Sequence, residues 1–272
     1  MPYMFGQLND IKAATAICNK LKARGIAARF TQVDDGSFAL LVDREEDVAT
    51  AHDFFRVSMG MPPRFEIPPE AIAMSKVPFG QASGALILIC VCVSVLTYFG
   101  DPNLVRSWLM ISLRTEGLPE IMDGQWWRLF TPAIVHFGFL HLIFNMMWLK
   151  SLGSLIEHVR GKNFLLLLVL SSAAASNLLQ WYFDGPMFGG MSGVVYALLG
   201  FLWMVKHFNP AEEYSLPKQD VWMMIGWFFL CLTGLLGPIA NYAHGGGLVF
   251  GMMVGAMVGK SSAGSVGAKK LE

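Results

Sequence analysis

Apolar runs of about 20 residues recur through the last two thirds of this chain, and each is long enough to cross a bilayer as a helix. Residues 81–272 contain only 21 of the chain's 40 charged side chains, spread over 192 positions. Because a bilayer offers no water to backbone groups, such runs fold as helices. The sequence therefore predicts six transmembrane helices, near residues 82–99, 139–159, 164–183, 191–208, 221–236 and 241–260.

The basic residues between these runs predict how the helices are oriented. Arg160 and Lys162 lie between the second and third runs, Lys206 and Lys218 lie between the fourth and fifth, and Lys260 ends the sixth. The connection between the third and fourth runs and the connection between the fifth and sixth runs contain no Lys or Arg. Cytoplasmic connections are enriched in these residues. We therefore expect a multi-pass protein with both termini in the cytoplasm, although the basic residues of the first outer loop depart from the rule.

Residues 1–58 have the composition of a soluble domain and predict a small α+β cytosolic unit. The pattern predicts a helix, two strands around an Asp-Asp-Gly turn, and a second helix. These elements are expected at residues 10–23, 29–33, 37–42 and 44–57. Residues 59–80, which include Pro62-Pro63 and Pro68-Pro69, predict an extended Pro-rich linker. The sixth apolar run completes a membrane domain at 81–260, and 261–272 is expected to be a flexible tail.

Composition excludes several functional classes. Basic and acidic residues are equal in number, at 20 each, which argues against a nucleic-acid partner. The four cysteines do not have zinc-ligand spacing, and no His-Glu-x-x-His sequence is present. The sequence therefore predicts no metal and no cofactor, and it leaves the oligomeric state open.

Four polar side chains within or at the start of apolar runs stand out, because the serine hydroxyls elsewhere in these runs can bond back to their own helix. His141 and Asn145 belong to the second run, Ser192 begins the fourth, and His244 lies near the start of the sixth. His141 and Asn145 are four residues apart and so share one helix face. Polar groups in a membrane need a partner or a water-filled cavity, and these four are therefore candidates for a functional site.

Glycines predict how the helices that carry these residues pack. Gly189 and Gly190 precede Ser192, which allows a close turn that presents the serine at a helix N-terminus. Glycines also recur every four residues after His244, at positions 247, 251, 255 and 259. Such a ridge allows two helix backbones to pack closely. The fourth helix is the expected neighbour, and this pairing would bring His244 within reach of Ser192.

A serine beside a histidine indicates nucleophilic catalysis. The histidine takes the hydroxyl proton, and the serine oxygen then attacks a carbonyl carbon. No carboxylate lies in the middle of a run to complete a triad, so the hypothesis is a Ser192–His244 dyad, with an oxyanion held by His141, Asn145 and the Ser192 backbone N–H. On spacing alone, ordinary polar contacts between helices remain an alternative.

Three windows resemble the rhomboid intramembrane serine proteases, most closely their bacterial GlpG type. The windows appear in the family's order and lie on the predicted helices. They are Trp127-Arg128 with His136-Phe137-Gly138-Phe139-Leu140-His141-Leu142-Ile143-Phe144-Asn145, then Gly189-Gly190-Met191-Ser192-Gly193-Val194-Val195-Tyr196, and Ala243-His244-x-x-Gly247-x-x-x-Gly251.

The resemblance implies roles for these residues. Ser192 is expected to be the nucleophile and His244 the general base, with Tyr196 packed on His244. His141 and Asn145 are expected to donate into the oxyanion hole together with the Ser192 N–H. Gly190 belongs to the turn before the nucleophile, and Trp127, Arg128 and His136 are expected to support the fold.

The resemblance also implies the activity and its setting. It implies hydrolysis of peptide bonds in or near transmembrane helices of substrate proteins, in the inner (plasma) membrane of a bacterium. A catalytically silent rhomboid-fold protein that binds transmembrane clients is the alternative. Substrate access is expected between the second and fifth helices, where Trp227, Phe228 and Phe229 act as a gate or simply face lipid. Near the cytoplasmic end, Glu157 and Arg160 either pair with each other or mark the topology.

Overall fold

The computed structural model of the protein describes residues 2–62, 68–212, 214, 216–235 and 237–268. The chain divides into two compact units, Met1–Ile67 and Pro68–Glu272. Three parts of the predicted segments lie outside the described residues: 63–67 of the linker, 236 of the fifth span and 269–272 of the tail.

The first unit is a three-stranded antiparallel sheet with two helices, and the strand order is β1-β3-β2. Helix α1 begins where predicted, because the Asp10 carboxylate accepts a hydrogen bond from the Lys12 backbone N–H. Strand β1 was not predicted, since Gly6 interrupts its apolar pattern and the register shifts there. The elements are β1 (Tyr3–Leu8), α1 (Ile11–Lys22), β2 (Ala28–Gln32), β3 (Phe38–Val42) and α2 (Val48–Ser58).

In the described part of the second unit, all of the regular secondary structure is helical. A long helix, α4, is followed by an outer loop that contains two short helices, and the remaining helices then follow closely along the chain. The helices are α3 (Pro69–Ser75), α4 (Gln81–Phe99), α5 (Pro102–Leu109), α6 (Pro119–Met122), α7 (Phe139–Trp148), α8 (Ser154–Arg160), α9 (Lys162–Asp184), α10 (Ser192–Phe208), α11 (Lys218–Leu232) and α12 (Asn241–Ala268).

Two of these helices correct the sequence predictions. Helix α3 lies in the segment predicted as an extended linker, because Pro69 occupies the first helical position, where its missing N–H costs nothing. The residues that follow it, Glu-Ala-Ile-Ala-Met, are mostly good helix formers. Helix α12 continues to Ala268, so residues 261–268 are helical rather than a flexible tail; no proline interrupts them.

Six apolar helices occur where the sequence predicts them, but they differ in length. Among the described residues, four are long and apolar enough to cross a membrane: Gln81–Phe99, Phe139–Arg160, Lys162–Asp184 and Asn241–Ser262. Helix α10 has 17 residues and α11 has 15. At ~1.5 Å per residue each is shorter than the ~30 Å hydrocarbon core of a bilayer. Four of the six predicted helices therefore have the length of a full crossing, and α10 and α11 are shorter.

A π-helical stretch joins α7 to α8 and redirects the second apolar run. It covers Leu149–Gly153, and the lack of a side chain at Gly153 lets the hydroxyl of Ser83 on α4 approach. Beyond it, the Glu157 carboxylate accepts hydrogen bonds from the backbone N–H groups of Ala82 and Ser83 at 2.9 and 3.0 Å. Glu157 therefore caps the start of α4, where free N–H groups need acceptors.

The expected partner of Glu157 lies elsewhere. Arg160 pairs with Glu212 in the connection after α10, at 2.7 Å, and both side chains are largely buried. A pair between Glu157 and Arg160 was therefore the wrong alternative. Both groups join chain segments that are far apart in sequence, which spacing alone does not indicate.

Helices α10 and α12 pack backbone against backbone along the predicted glycine ridge. A methyl group on each ridge glycine of α12 would meet a backbone carbonyl of α10, so a larger residue would not fit at this helix separation. Each glycine faces one residue of α10, in the pairs Gly247–Gly193, Gly251–Ala197, Gly255–Phe201 and Gly259–Val205. The predicted pairing of these two helices is confirmed.

Arg128 organises the outer loop from a fully buried position. Its guanidinium donates to the side-chain oxygen of Gln125, to the carbonyl of Met110 and to the carbonyl of Ser107. Burial lowers the pKa of Arg128, and the nearby negative charge of Glu120 partly offsets this. The hydrogen bonds satisfy a buried charge and fix the loop that precedes α7.

Candidate active site

Ser192 and His244 lie side by side at one end of the helix bundle. The serine hydroxyl oxygen is 2.7 Å from Nε2 of His244, which is hydrogen-bonding distance. Ser192 is the first residue of α10, and His244 lies in the first turn of α12. The glycine ridge holds the two helices together, so it also fixes the separation of these two side chains.

The environment of the histidine sets the direction in which a proton can move. His244 is 4% exposed, and its Nδ1 contacts no hydrogen-bond partner among the described residues. When Nδ1 carries the proton, Nε2 is an acceptor and the Ser192 hydroxyl donates to it. The arrangement gives a serine whose proton has a base within reach and no carboxylate beside that base.

A tight turn places Ser192 at the N-terminus of α10. Gly190 has φ +125°, a conformation that residues with side chains rarely adopt, and its N–H donates to the carbonyl of Pro132. The Met191 N–H donates to Nε2 of His136 at 3.3 Å. His136 is fully buried, so it supports the turn from below, as a structural role predicts.

His141 and Asn145 lie on one face of α7, and His141 approaches the turn. A Cβ on Gly190 would lie 2.7 Å from Nε2 of His141 and 3.7 Å from the hydroxyl oxygen of Ser192. The missing side chain therefore lets the His141 ring lie directly against the turn that carries Ser192. The Asn145 side chain is buried and donates one hydrogen bond to the backbone carbonyl of His141, which leaves its second amide hydrogen available.

Tyr196 lies one turn along α10 from Ser192 and packs on the histidine. The two ring centres are 5.0 Å apart and the rings are tilted by 41°. The phenol donates to the carbonyl of Met224 on α11 at 3.0 Å, and the ring meets Phe228 edge-on. Tyr196 therefore contacts both the candidate base and the neighbouring helix.

The comparison with protein families decides the identity of this bundle. A family model described as the rhomboid domain matches residues 123–261, just over half of the chain, and this match covers α7 to α12. The chain belongs to the rhomboid family. The match includes all of the residues around Ser192 described above.

Two relatives show how far the similarity to rhomboids extends. The rhomboid protease GlpG of Pectobacterium atrosepticum is 34% identical over 176 residues, which are 64% of this chain and 62% of that protein. The rhomboid protease GlpG of Yersinia pestis is 33% identical over 188 residues, 69% of this chain and 66% of that protein. The chain thus spans slightly less than two thirds of these curated relatives.

Two residues of this rhomboid domain that the sequence analysis missed lie beside the site. Gln180 on α9 accepts a hydrogen bond from the backbone N–H of Ala243, the residue before His244, at 3.0 Å. Its amide group in turn donates to Asp184 at 2.8 Å. The available signal was a polar amide inside the third apolar run, since such a group needs a partner within the bundle, and the structure buries it.

Proposed function

We propose that this rhomboid is an intramembrane serine protease that hydrolyses peptide bonds in or near transmembrane helices of substrate proteins. One observation carries the proposal: the hydroxyl of Ser192 lies 2.7 Å from Nε2 of a buried histidine, at the N-terminus of an apolar helix. The kinship with rhomboid proteases named GlpG supports it.

The first step of the proposed reaction forms an acyl-enzyme. His244 takes the proton of Ser192, and the serine oxygen forms a bond with the carbonyl carbon of the substrate peptide. The protonated histidine then gives its proton to the leaving nitrogen as the C–N bond breaks. The two roles need one group that both accepts and donates at Nε2, and the buried imidazole of His244 meets that need.

Negative charge develops on the substrate oxygen during this attack. We assign the oxyanion hole to the side chains of His141 and Asn145 and to the backbone N–H of Ser192. The close approach of the His141 ring to the turn at Gly190, beside Ser192, supports this assignment. The N-terminus of α10 adds a favourable partial positive charge. Each such donor is worth about 2.7–4 kcal/mol of activation free energy in other serine proteases.

Deacylation repeats the chemistry with water. His244 takes a proton from a water molecule, the hydroxide bonds to the acyl carbon, and the proton returns to the Ser192 oxygen as the ester breaks. Water must therefore reach Ser192 inside the bundle. The short length of α10 supports this, because a helix of 17 residues need not span the whole bilayer and can begin at Ser192 below the membrane surface.

The proposed setting is the inner membrane of a bacterium, with all six apolar helices inserted and both termini cytoplasmic. Arg160, Lys206 and Lys260 support this orientation, since they collect at the end of the bundle opposite Ser192. The lipid-facing surface is apolar, with exposed side chains such as Leu88, Leu167 and Val249. Transmembrane proteins are the proposed substrates.

Cleavage of transmembrane segments by purified protein tests the proposal. We expect the parent to cut at least one segment of a panel in lipid vesicles, and we expect Ser192→Ala and His244→Ala to lose at least a thousandfold in rate. A fluorophosphonate is expected to label Ser192 and no other serine. Binding of the segments without cutting by the parent would instead support the silent client-binding alternative. Labelling of another serine, or cleavage by Ser192→Ala, would contradict the dyad.

A further inference from the structure

One buried side chain of α9 hydrogen-bonds to the first turn of the helix that carries His244. Ala243 is the third residue of α12, and its N–H has no acceptor within the helix. Gln180 of α9 supplies that acceptor at 3.0 Å, and both residues are at least 95% buried. The adjacent residue is His244, so this hydrogen bond fixes the backbone from which the candidate base extends.

A glutamine can make this bond in only one of its two amide orientations. The carbonyl oxygen accepts from Ala243, whereas the NH₂ group in the same place would bring two donors together. Asp184 removes this ambiguity, because an ionised carboxylate accepts hydrogen bonds and donates none. It receives the Gln180 NH₂ at 2.8 Å and so turns the carbonyl oxygen toward α12.

We propose that Asp184 and Gln180 are positioning residues for His244. Asp184 selects the amide orientation of Gln180, Gln180 holds Ala243, and the start of α12 is thereby fixed against α9 with Nε2 of His244 at Ser192. The inference rests on the proposed function of the Ser192–His244 pair. Neither residue touches the reacting atoms, and Asp184 is exposed at the rim of the bundle.

The packing of α12 against α9 near this hydrogen bond explains why the bond influences the position of His244. At Gly246 the backbone of α12 comes close to Leu179 of α9, where a Cβ would lie 2.6 Å from the leucine side chain. The residues before α12 form a loop, and residue 236 within it lies outside the described part. Tyr242 in the first turn of α12 stacks on Phe183 of α9, and the Asn241 side chain donates to the carbonyl of Cys231 on α11. The Gln180 hydrogen bond adds to these contacts at the residue next to His244, so it acts directly on the backbone that carries the candidate base.

Substitutions at Asp184 separate positioning from general stability. We expect Asp184→Ala to lower kcat about tenfold with little change in KM, because the loss of one charge-assisted hydrogen bond is worth about that much in rate. We expect Asp184→Asn to stay within about twofold of the parent, since its side-chain oxygen still accepts from Gln180. Fluorophosphonate labelling of Ser192 counts active sites, so kcat is expressed per folded enzyme. Glu116→Ala, at an exposed acid of the outer loop, is the matched control and should leave kcat unchanged.

A swapped pair provides an independent readout. Gln180→Glu places two carboxylates against each other and should lower kcat at least as far as Asp184→Ala. Adding Asp184→Asn should restore it, because the new glutamate accepts from Ala243 and also from the new amide. This rescue tests the inference even if Asp184→Ala does not fold.

Three outcomes would overturn the inference. They are an Asp184→Ala enzyme with the parental kcat per active site, an Asp184→Asn enzyme as slow as Asp184→Ala, and a double variant as slow as Gln180→Glu alone. Each leaves the proposed function intact if Ser192→Ala is inactive. An inactive parent whose Ser192 takes no fluorophosphonate would instead remove the proposed function, and the inference would fall with it.

Discussion

Two helices beside the candidate site, α12 and α11, are held in different ways. A Cβ added at Gly251 of α12 would overlap the backbone of Ala197, whereas a Cβ added at Gly226 of α11 would meet nothing within 4 Å. Of the 15 residues of α11, only Met224 and Cys231 are buried, but ten of the 17 residues of α10 are. The interface of α12 with α10 is a backbone contact along several turns, whereas the interface of α11 with the bundle depends on a few side chains.

The difference assigns separate tasks to the two helices. Closely packed backbones lose contacts along their whole length when they shift, so α10 and α12 hold Ser192 and His244 at a fixed distance. A helix held by a few side chains can move away from the bundle at a smaller cost. We therefore expect α11 to open for a substrate helix while the reacting pair stays in place.

The largest expected effect comes from a pair of glycine-to-alanine substitutions, one in α12 and one in α11. Gly251→Ala forces the α12 backbone away from Ala197 and should lower the free energy of unfolding by about 1–3 kcal/mol or more, with loss of activity. Gly226→Ala makes the same chemical change in open space. It should raise the stability by up to about 1 kcal/mol through helix propensity and leave activity unchanged.

Unfolding of both variants in the same detergent, followed by tryptophan fluorescence, measures this pair. Cleavage assays on the same samples report activity. Equal losses of stability at the two positions would mean that α11 packs as tightly as α12, and the assignment of rigid and mobile parts would be wrong.

A smaller effect is expected at Tyr196, which contacts both sides of the comparison. Tyr196→Phe removes the hydrogen bond to Met224 on α11 but keeps the ring against His244, so we expect a loss of about 0.5–1.5 kcal/mol in stability and a near-parental kcat. Tyr196→Leu also removes the ring and should lower kcat. Thermal unfolding and single-turnover cleavage distinguish the two. A kcat that falls as far in Tyr196→Phe as in Tyr196→Leu would mean that α11, and not the ring, orients the histidine.

The features that local pattern controls were predictable from the sequence. Apolar runs located the helices, and the spacing of the glycines after His244 predicted which helix would face α10 and bring the histidine to Ser192. Membrane helices restrict the possibilities strongly, since a polar group inside them must find a partner. The ridge therefore predicted that His244 comes within reach of Ser192, and Nε2 of His244 lies 2.7 Å from the hydroxyl oxygen of that residue, 52 positions earlier in the sequence.

The features missed from the sequence depend on how segments meet in three dimensions. Glu157 caps α4 because the π-helical stretch turns α8 toward the start of α4. The pattern of apolar residues in the second run does not indicate the extra residue that this stretch contains. Arg160 finds Glu212 for the same reason. The link from Asp184 through Gln180 to α12 depends on how far α9 and α12 are shifted along each other. The spacing of residues within a single helix does not indicate that shift.

The smallest expected change tests the mobile side of the comparison directly. Trp227 of α11 lies against Phe144 of α7, with ring centres 5.6 Å apart, across the expected access route between the second and fifth apolar helices. An aromatic contact of this kind is worth about 0.5–1.5 kcal/mol, so Trp227→Ala should raise the population of the open arrangement about twofold to tenfold. Cleavage of a transmembrane segment should rise accordingly, because access to Ser192 precedes chemistry.

Trp222→Ala is the matched control for this change. Trp222 lies on the same helix and is 73% exposed, so its removal should leave the packing of α11 and the cleavage rate unchanged. A short soluble peptide adds a second comparison, since a substrate that does not pass between the helices should be cut at the same rate by Trp227→Ala and by the parent. If Trp227→Ala instead accelerates both substrates equally, the tryptophan influences the chemistry, and α11 belongs with the rigid part of the site.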